Sequence, residues 1–169
     1  LPHLPILGAI GFVGFPFYYW IWSNLFPQPY ENLALRLIGS VLFFGLLTLN
    51  RWPSNYKKYI KLYWCITFTF SLPFFFTFML LKNEGNFVWA MSMMAGLMLL
   101  ILVAYDWVLV TGIFALGSIL AVTAYLTIGE HTIEMDQYWM QIPIYSFLVV
   151  VGSAFNYKSA STRHEKLKT

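Results

Sequence analysis

The sequence predicts an all-α polytopic membrane protein of six transmembrane helices, with both termini cytoplasmic. Three observations carry that prediction. Of 169 residues, 59% are hydrophobic and 10% charged, too few charges to clothe a water-soluble domain of this size; the mean hydropathy is +0.66. The apolar residues fall in blocks of about 20, the length that crosses ~30 Å of hydrocarbon at ~1.5 Å per residue. Eight of the ten basic residues lie in two segments that an even number of spans places on one side, the cytoplasmic one by the positive-inside rule.

The first block, Leu4–Phe26, contains Pro16 and closes on the aromatic run "YYWIW". The chain opens on leucine with a helix starting a few positions on, so the natural start and any targeting signal are expected upstream. The second block, Leu33–Leu49, is short and carries Arg36 near its outer end, where it is expected to snorkel to the headgroups or to pair with Glu31. The loop "NRWPSNYKKYIK" supplies Arg51, Lys57, Lys58 and Lys61 to the inner side. The third block, Tyr59–Leu81, holds Pro73 and the single cysteine, Cys65, which excludes a disulfide framework.

Lys82 and Glu84 mark the next outer turn. The fourth block, Phe87–Tyr105, meets the fifth, Trp107–Ile128, at "AYDW", a tight interfacial turn around Asp106. Glu130, Glu134 and Asp136 follow on the outer side. The sixth block, Tyr138–Asn156, contains Pro143, and the tail adds Lys158, Arg163, Lys166 and Lys168. The net charge of +3 is therefore a topology signal, and nothing in it points to nucleic acid.

Catalytic chemistry has no visible seat in these residues. The histidines are His3, His131 and His164, all at or beyond span ends, so no span offers a haem pair, a metal cluster or a serine–histidine couple. No phosphate-cradling glycine loop appears. Ion coupling would need ionisable groups near the bilayer centre, and none is present.

What remains is polar without being charged. Pro16, Pro73 and Pro143 each remove a helical hydrogen bond at similar depth in the outer half of the bilayer, which suits helices that splay around a cavity. The stretch "NFVWAMSMMAGLMLL" places Trp89 and Ser92 at i, i+3 on one face of the fourth helix, with Met91, Met93, Met94 and Met98 close by. A belt tryptophan, a serine bonded to its own helix and gap-filling thioethers would give the same letters.

Five blocks in register, "GFPFYYWIW", "FPQPYENLALR", "LPFFFTFMLL", "WAMSMMA" and "QIPIYSF", resemble the six-span sensory domain of the CqsS-type quorum-sensing histidine kinases of vibrios, to which the LqsS receptors of Legionella are related. The resemblance runs from about Gly11 to the basic tail. It implies a multi-pass receptor of the bacterial inner membrane, with residues 1–157 as sensory domain and 158–169 as the start of a cytoplasmic signalling helix. The implied ligand is an α-hydroxyketone, an amphiphile with adjacent hydroxyl and keto groups on an alkyl tail.

The family's ligand-responsive Trp and Ser fall on Trp89 and Ser92, and a Phe of the last span falls on Phe147. Phe155 stands where some relatives carry Cys and others Phe. At ~1.5 Å per residue, Ser92 lies about 8 Å below the outer edge, Phe147 about 13 Å and Phe155 about 25 Å, so a head at Ser92 would send its tail inward. The resemblance further implies a homodimer, a fused kinase using ATP and magnesium, and phosphorelay partners; this stretch itself holds neither a cofactor nor a metal site. The rival class is the substrate-binding membrane subunit of a small-solute, vitamin-type importer, which would also suit six spans in so short a chain. A membrane anchor that only dimerises its cytoplasmic partner is the third.

Overall fold

The computed structural model describes residues 4–104, 106–128 and 144–152, and all regular structure among them is helical. The chain divides into two compact units, Leu1–Ser71 and Leu72–Thr169. Three helical stretches, Leu4–Leu25, Ser54–Lys82 and Trp107–Ile128, are long and apolar enough to cross a membrane, and two shorter apolar helices span Leu33–Leu47 and Phe87–Val103. These follow the first five expected blocks closely. Of the sixth, residues 144–152 are described and helical; Pro143, Phe155, the acidic loop and the basic tail lie outside the described residues.

In the first unit α1 (Leu4–Trp20) continues into a π turn (Ile21–Leu25), and α2 (Leu33–Leu47) packs back against it. Asn32 starts α2 by accepting the Leu35 N–H at 3.1 Å, relieving one of the N–H groups a helix leaves unpaired at its start. Gly8 is required for the α1–α2 approach, since a methyl there would collide with the backbone of Leu46 and Leu47. Ser40 strengthens the pair by donating to the Phe12 carbonyl at 2.7 Å. α3 (Ile60–Thr69) joins them through Phe68, edge-on to Phe43 at 5.9 Å, and through the Tyr63 hydroxyl, which donates to the Leu42 carbonyl at 2.8 Å.

Arg36 settles onto Glu31. Its Nη2 donates to Oε2 at 2.8 Å and its Nε to Oε1 at 3.1 Å, and the two side chains are only 4% and 7% exposed. Of the two expected fates the chain takes pairing.

Pro73 explains an irregularity. It lies in a π turn, Phe70–Phe74, where each carbonyl pairs five residues on rather than four. The N–H that proline cannot give to Thr69 is thereby replaced by that of the next residue.

The second unit contains α4 (Phe75–Lys82), α5 (Phe87–Val103), α6 (Trp107–Ile128) and α7 (residues 144–152). α4 stops in a tight reversal: Gly85 N–H bonds the Leu80 carbonyl at 2.9 Å and Glu84 N–H the Leu81 carbonyl at 3.2 Å. That pattern needs a left-handed residue after the cap, and here the non-glycine Glu84 supplies it at φ 52. Asn86 then opens α5 by accepting the Trp89 N–H at 3.1 Å. Trp89, Met93, Gly96, Leu97 and Leu100 form the buried stripe of α5, and Val110, Ile113, Gly117 and Ala121 that of α6. Away from these stripes the helices expose Met98, Leu102, Leu116 and Ile119, an apolar exterior that lipid, unlike water, solvates without penalty.

Candidate functional site

The site builds from the start of α5. Trp89 follows the Asn86 cap by three residues and turns inward, with no exposed surface. Its indole meets the Phe75 ring edge-on at 6.1 Å and the Phe76 ring at 6.5 Å, offset geometries that aromatic quadrupoles favour. Trp89 is thus a packed residue of the second unit's interior rather than a member of an interfacial belt. Phe76 reaches across α5 because residue 96 is glycine: a Cβ there would lie 2.7 Å from its ring.

Ser92 sits beside this stripe, half-buried, and its hydroxyl donates to the Val88 carbonyl at 2.8 Å. The proton is committed to its own helix, so Ser92 has only oxygen lone pairs to offer a guest. Met93 is buried one turn below Trp89 while Met91 and Met98 face outward.

Two hydroxyls that sequence reasoning passed over meet beside Met93, one of them in contact with its sulfur. Thr77 of α4 donates toward the Met93 sulfur at 3.8 Å and lies 3.4 Å, oxygen to oxygen, from Ser118 of α6. They are 41 residues apart in the chain, and no local pattern links them. The signal that was available is weaker: each is a hydroxyl inside an otherwise apolar span.

Phe147 lies on α7 and is 66% exposed. Its neighbour Tyr145 does reach α5, donating to the Ala90 carbonyl at 3.1 Å. Lower down, Ile101 of α5 fills the notch left by Gly152 of α7. The helix of Trp89 and the last described helix are therefore joined at two levels. At the far end of α4, Lys82 lies over the rings of Phe78 and Tyr125, 5.9 and 5.2 Å from their centroids.

Among the described residues no three His, Cys, Asp or Glu side chains gather where they could hold a metal. The arrangement offers hydroxyls, a thioether and aromatic faces. Such groups can donate and accept hydrogen bonds and make apolar contacts.

Over 171 aligned residues, 98% of this chain and 24% of its relative, the sequence is 38% identical to the CAI-1 autoinducer sensor kinase/phosphatase CqsS of Vibrio cholerae. The chain belongs to the CqsS-like sensory domains. No family model matches it, and no solved structure matches it. The match to CqsS spans nearly the whole chain but only about a quarter of that relative. CqsS-like membership and the long apolar helices agree on a membrane protein.

Proposed function

We propose that this CqsS-like chain is the sensory domain of a quorum-sensing receptor of the bacterial inner membrane, recognising a lipophilic α-hydroxyketone and controlling a cytoplasmic histidine kinase/phosphatase. The observation that carries this is the 38% identity, sustained over 98% of the chain, to a protein whose name describes an autoinducer sensor. Six spans with both termini cytoplasmic form the frame of this reading, supported by the basic asymmetry of the sequence. The uncharged polar groups around Met93 suit such a ligand: adjacent hydroxyl and keto groups need donors and acceptors, not a countercharge, and an alkyl tail needs apolar walls.

Trp89, Ser92, Phe147 and Phe155 remain the residues through which ligand identity is proposed to be read, Trp89 as aromatic wall and Ser92 as acceptor. Ligand can bias the output only by differential affinity for two helix arrangements. Homodimerisation, ATP and magnesium in a fused kinase and downstream phosphorelay proteins belong to the same proposal.

The test is a reporter strain expressing the full-length receptor, challenged with a chain-length series of α-hydroxyketones. A saturable response with a preferred length supports the reading. Phe155→Cys should move that preference to longer tails, because overfilling a packed site costs about 1–3 kcal/mol while each buried methylene contributes about 0.8 kcal/mol. A receptor indifferent to every member of the series would sink it.

A further inference from the structure

Hydroxyls on these helices mostly serve their own backbone. Thr67 donates to the Tyr63 carbonyl, Ser92 to Val88, Thr111 to Trp107 and Thr123 to Ile119, all within 2.8–2.9 Å. Thr77 and Ser118 instead face one another between α4 and α6, at 3.4 Å, with the Met93 sulfur of α5 at 3.8 Å from Thr77. Neither contact is strong, since hydroxyl pairs settle near ~2.7–2.8 Å and a thioether is a weak acceptor. A plain helix clamp is the simplest account of two such residues in a membrane bundle. A clamp this long, however, leaves most of the bonding capacity of both hydroxyls unspent, as each carries one donor and two acceptor lone pairs.

Position adds a second argument. Both residues are half-buried, whereas the neighbouring Trp89, Met93 and Phe75 are sealed. The two hydroxyl residues thus lie outside the sealed stripe. α4 and α5 are joined by the tight reversal at Glu84 and Gly85, so they run antiparallel. Thr77 precedes the end of α4 by about 8 Å, and Ser92 follows the start of α5 by about the same, at ~1.5 Å per residue. Thr77 thus lies level with Ser92, and its thioether contact is to the residue after Ser92.

We propose that Thr77 and Ser118 complete, level with Ser92, the head-group subsite of this domain, gripping two adjacent oxygens of an uncharged amphiphile, one that donates and one that only accepts. The inference rests on the ligand class proposed above and adds the residues that read its head. Two hydroxyls from different helices span two neighbouring oxygens, replacing one long mutual bond with two shorter ones. Met93, pliable and apolar, adjusts beside them.

The test compares two ligands of equal tail length, an α-hydroxyketone and the simple ketone lacking the hydroxyl, on the full-length receptor in a reporter strain. Thr77→Val and Ser118→Ala preserve shape and remove the hydroxyls. Each is expected to raise the half-maximal concentration of the hydroxyketone about tenfold while moving the simple ketone less than about twofold. Thr77→Ser, which keeps the hydroxyl, should retain the wild-type preference. Equal weakening for both ligands, or an unchanged preference in both variants, would overturn the subsite and leave a helix clamp. If wild type responds to neither ligand, the ligand class fails and the subsite with it.

Discussion

The Tyr145 hydroxyl donates to the Ala90 carbonyl at 3.1 Å, which ties α7 to α5 one residue beyond Trp89. The Ile101–Gly152 fit holds the same two helices further along. Tyr145→Phe removes the hydroxyl and almost nothing else. Interhelical hydrogen bonds in membrane proteins contribute about 0.6 kcal/mol on average and up to about 1.7, so the purified domain should unfold at slightly lower denaturant. Ligand-free output should shift in the same variant, because α7 leads toward the tail. An unaltered midpoint together with unaltered basal output would mean that the latch carries no load.

Trp89 and Ser92 should separate when mutated. Trp89 is sealed between Phe75 and Phe76, so Trp89→Ala opens a cavity and should cost about 3–5 kcal/mol, seen as lost protein in the membrane. Trp89→Phe keeps most of the packing and should fold. Ser92→Ala removes only a hydroxyl bonded to its own helix; stability should hold within about 0.5 kcal/mol, while ligands that donate a hydrogen bond to its oxygen weaken by about 1–3 kcal/mol. A Ser92→Ala receptor with wild-type dose response would confine Ser92 to packing.

Element positions were legible in the sequence because apolar block length and loop charge are local properties. Leu33 and Phe87 open helices where the blocks begin, each behind an asparagine cap, and Arg36 found the Glu31 expected of it. What was not legible depends on distant partners. A tryptophan near a span end reads as an interfacial anchor in any single helix; only the Phe75 and Phe76 rings of α4 show that Trp89 points inward. Thr77 and Ser118 are inconspicuous apart and become a pair only when α4 and α6 pack.

The topology of the frame is testable at described positions. In a background with Cys65 replaced by alanine, a cysteine at the exposed Glu84 turn should react with an impermeant thiol reagent added to intact cells, and one at the exposed Lys57 should not. The charge asymmetry requires that pattern. Labelling at Lys57 from outside would reverse the orientation and place Trp89 and Ser92 in the inner half of the bilayer.

The last prediction concerns Glu31 and Arg36. The guanidinium makes two hydrogen bonds to the carboxylate and lies 5.9 Å from the centre of the Phe15 ring, with both charged side chains more than nine-tenths buried. In such a pair much of the lost solvation of each ion is offset by its partner, so removing one leaves a buried charge without its countercharge. Glu31→Leu and Arg36→Met should each destabilise by about 3–5 kcal/mol. The double variant should recover much of that loss, because no charge remains to be solvated and the apolar replacements suit the surroundings. A double-mutant cycle on the purified domain reads the coupling directly. Were both single variants to cost less than about 1 kcal/mol, the pair would be behaving as a surface ion pair, bathed by headgroups and water, and its burial by the protein would count for little in holding the start of α2.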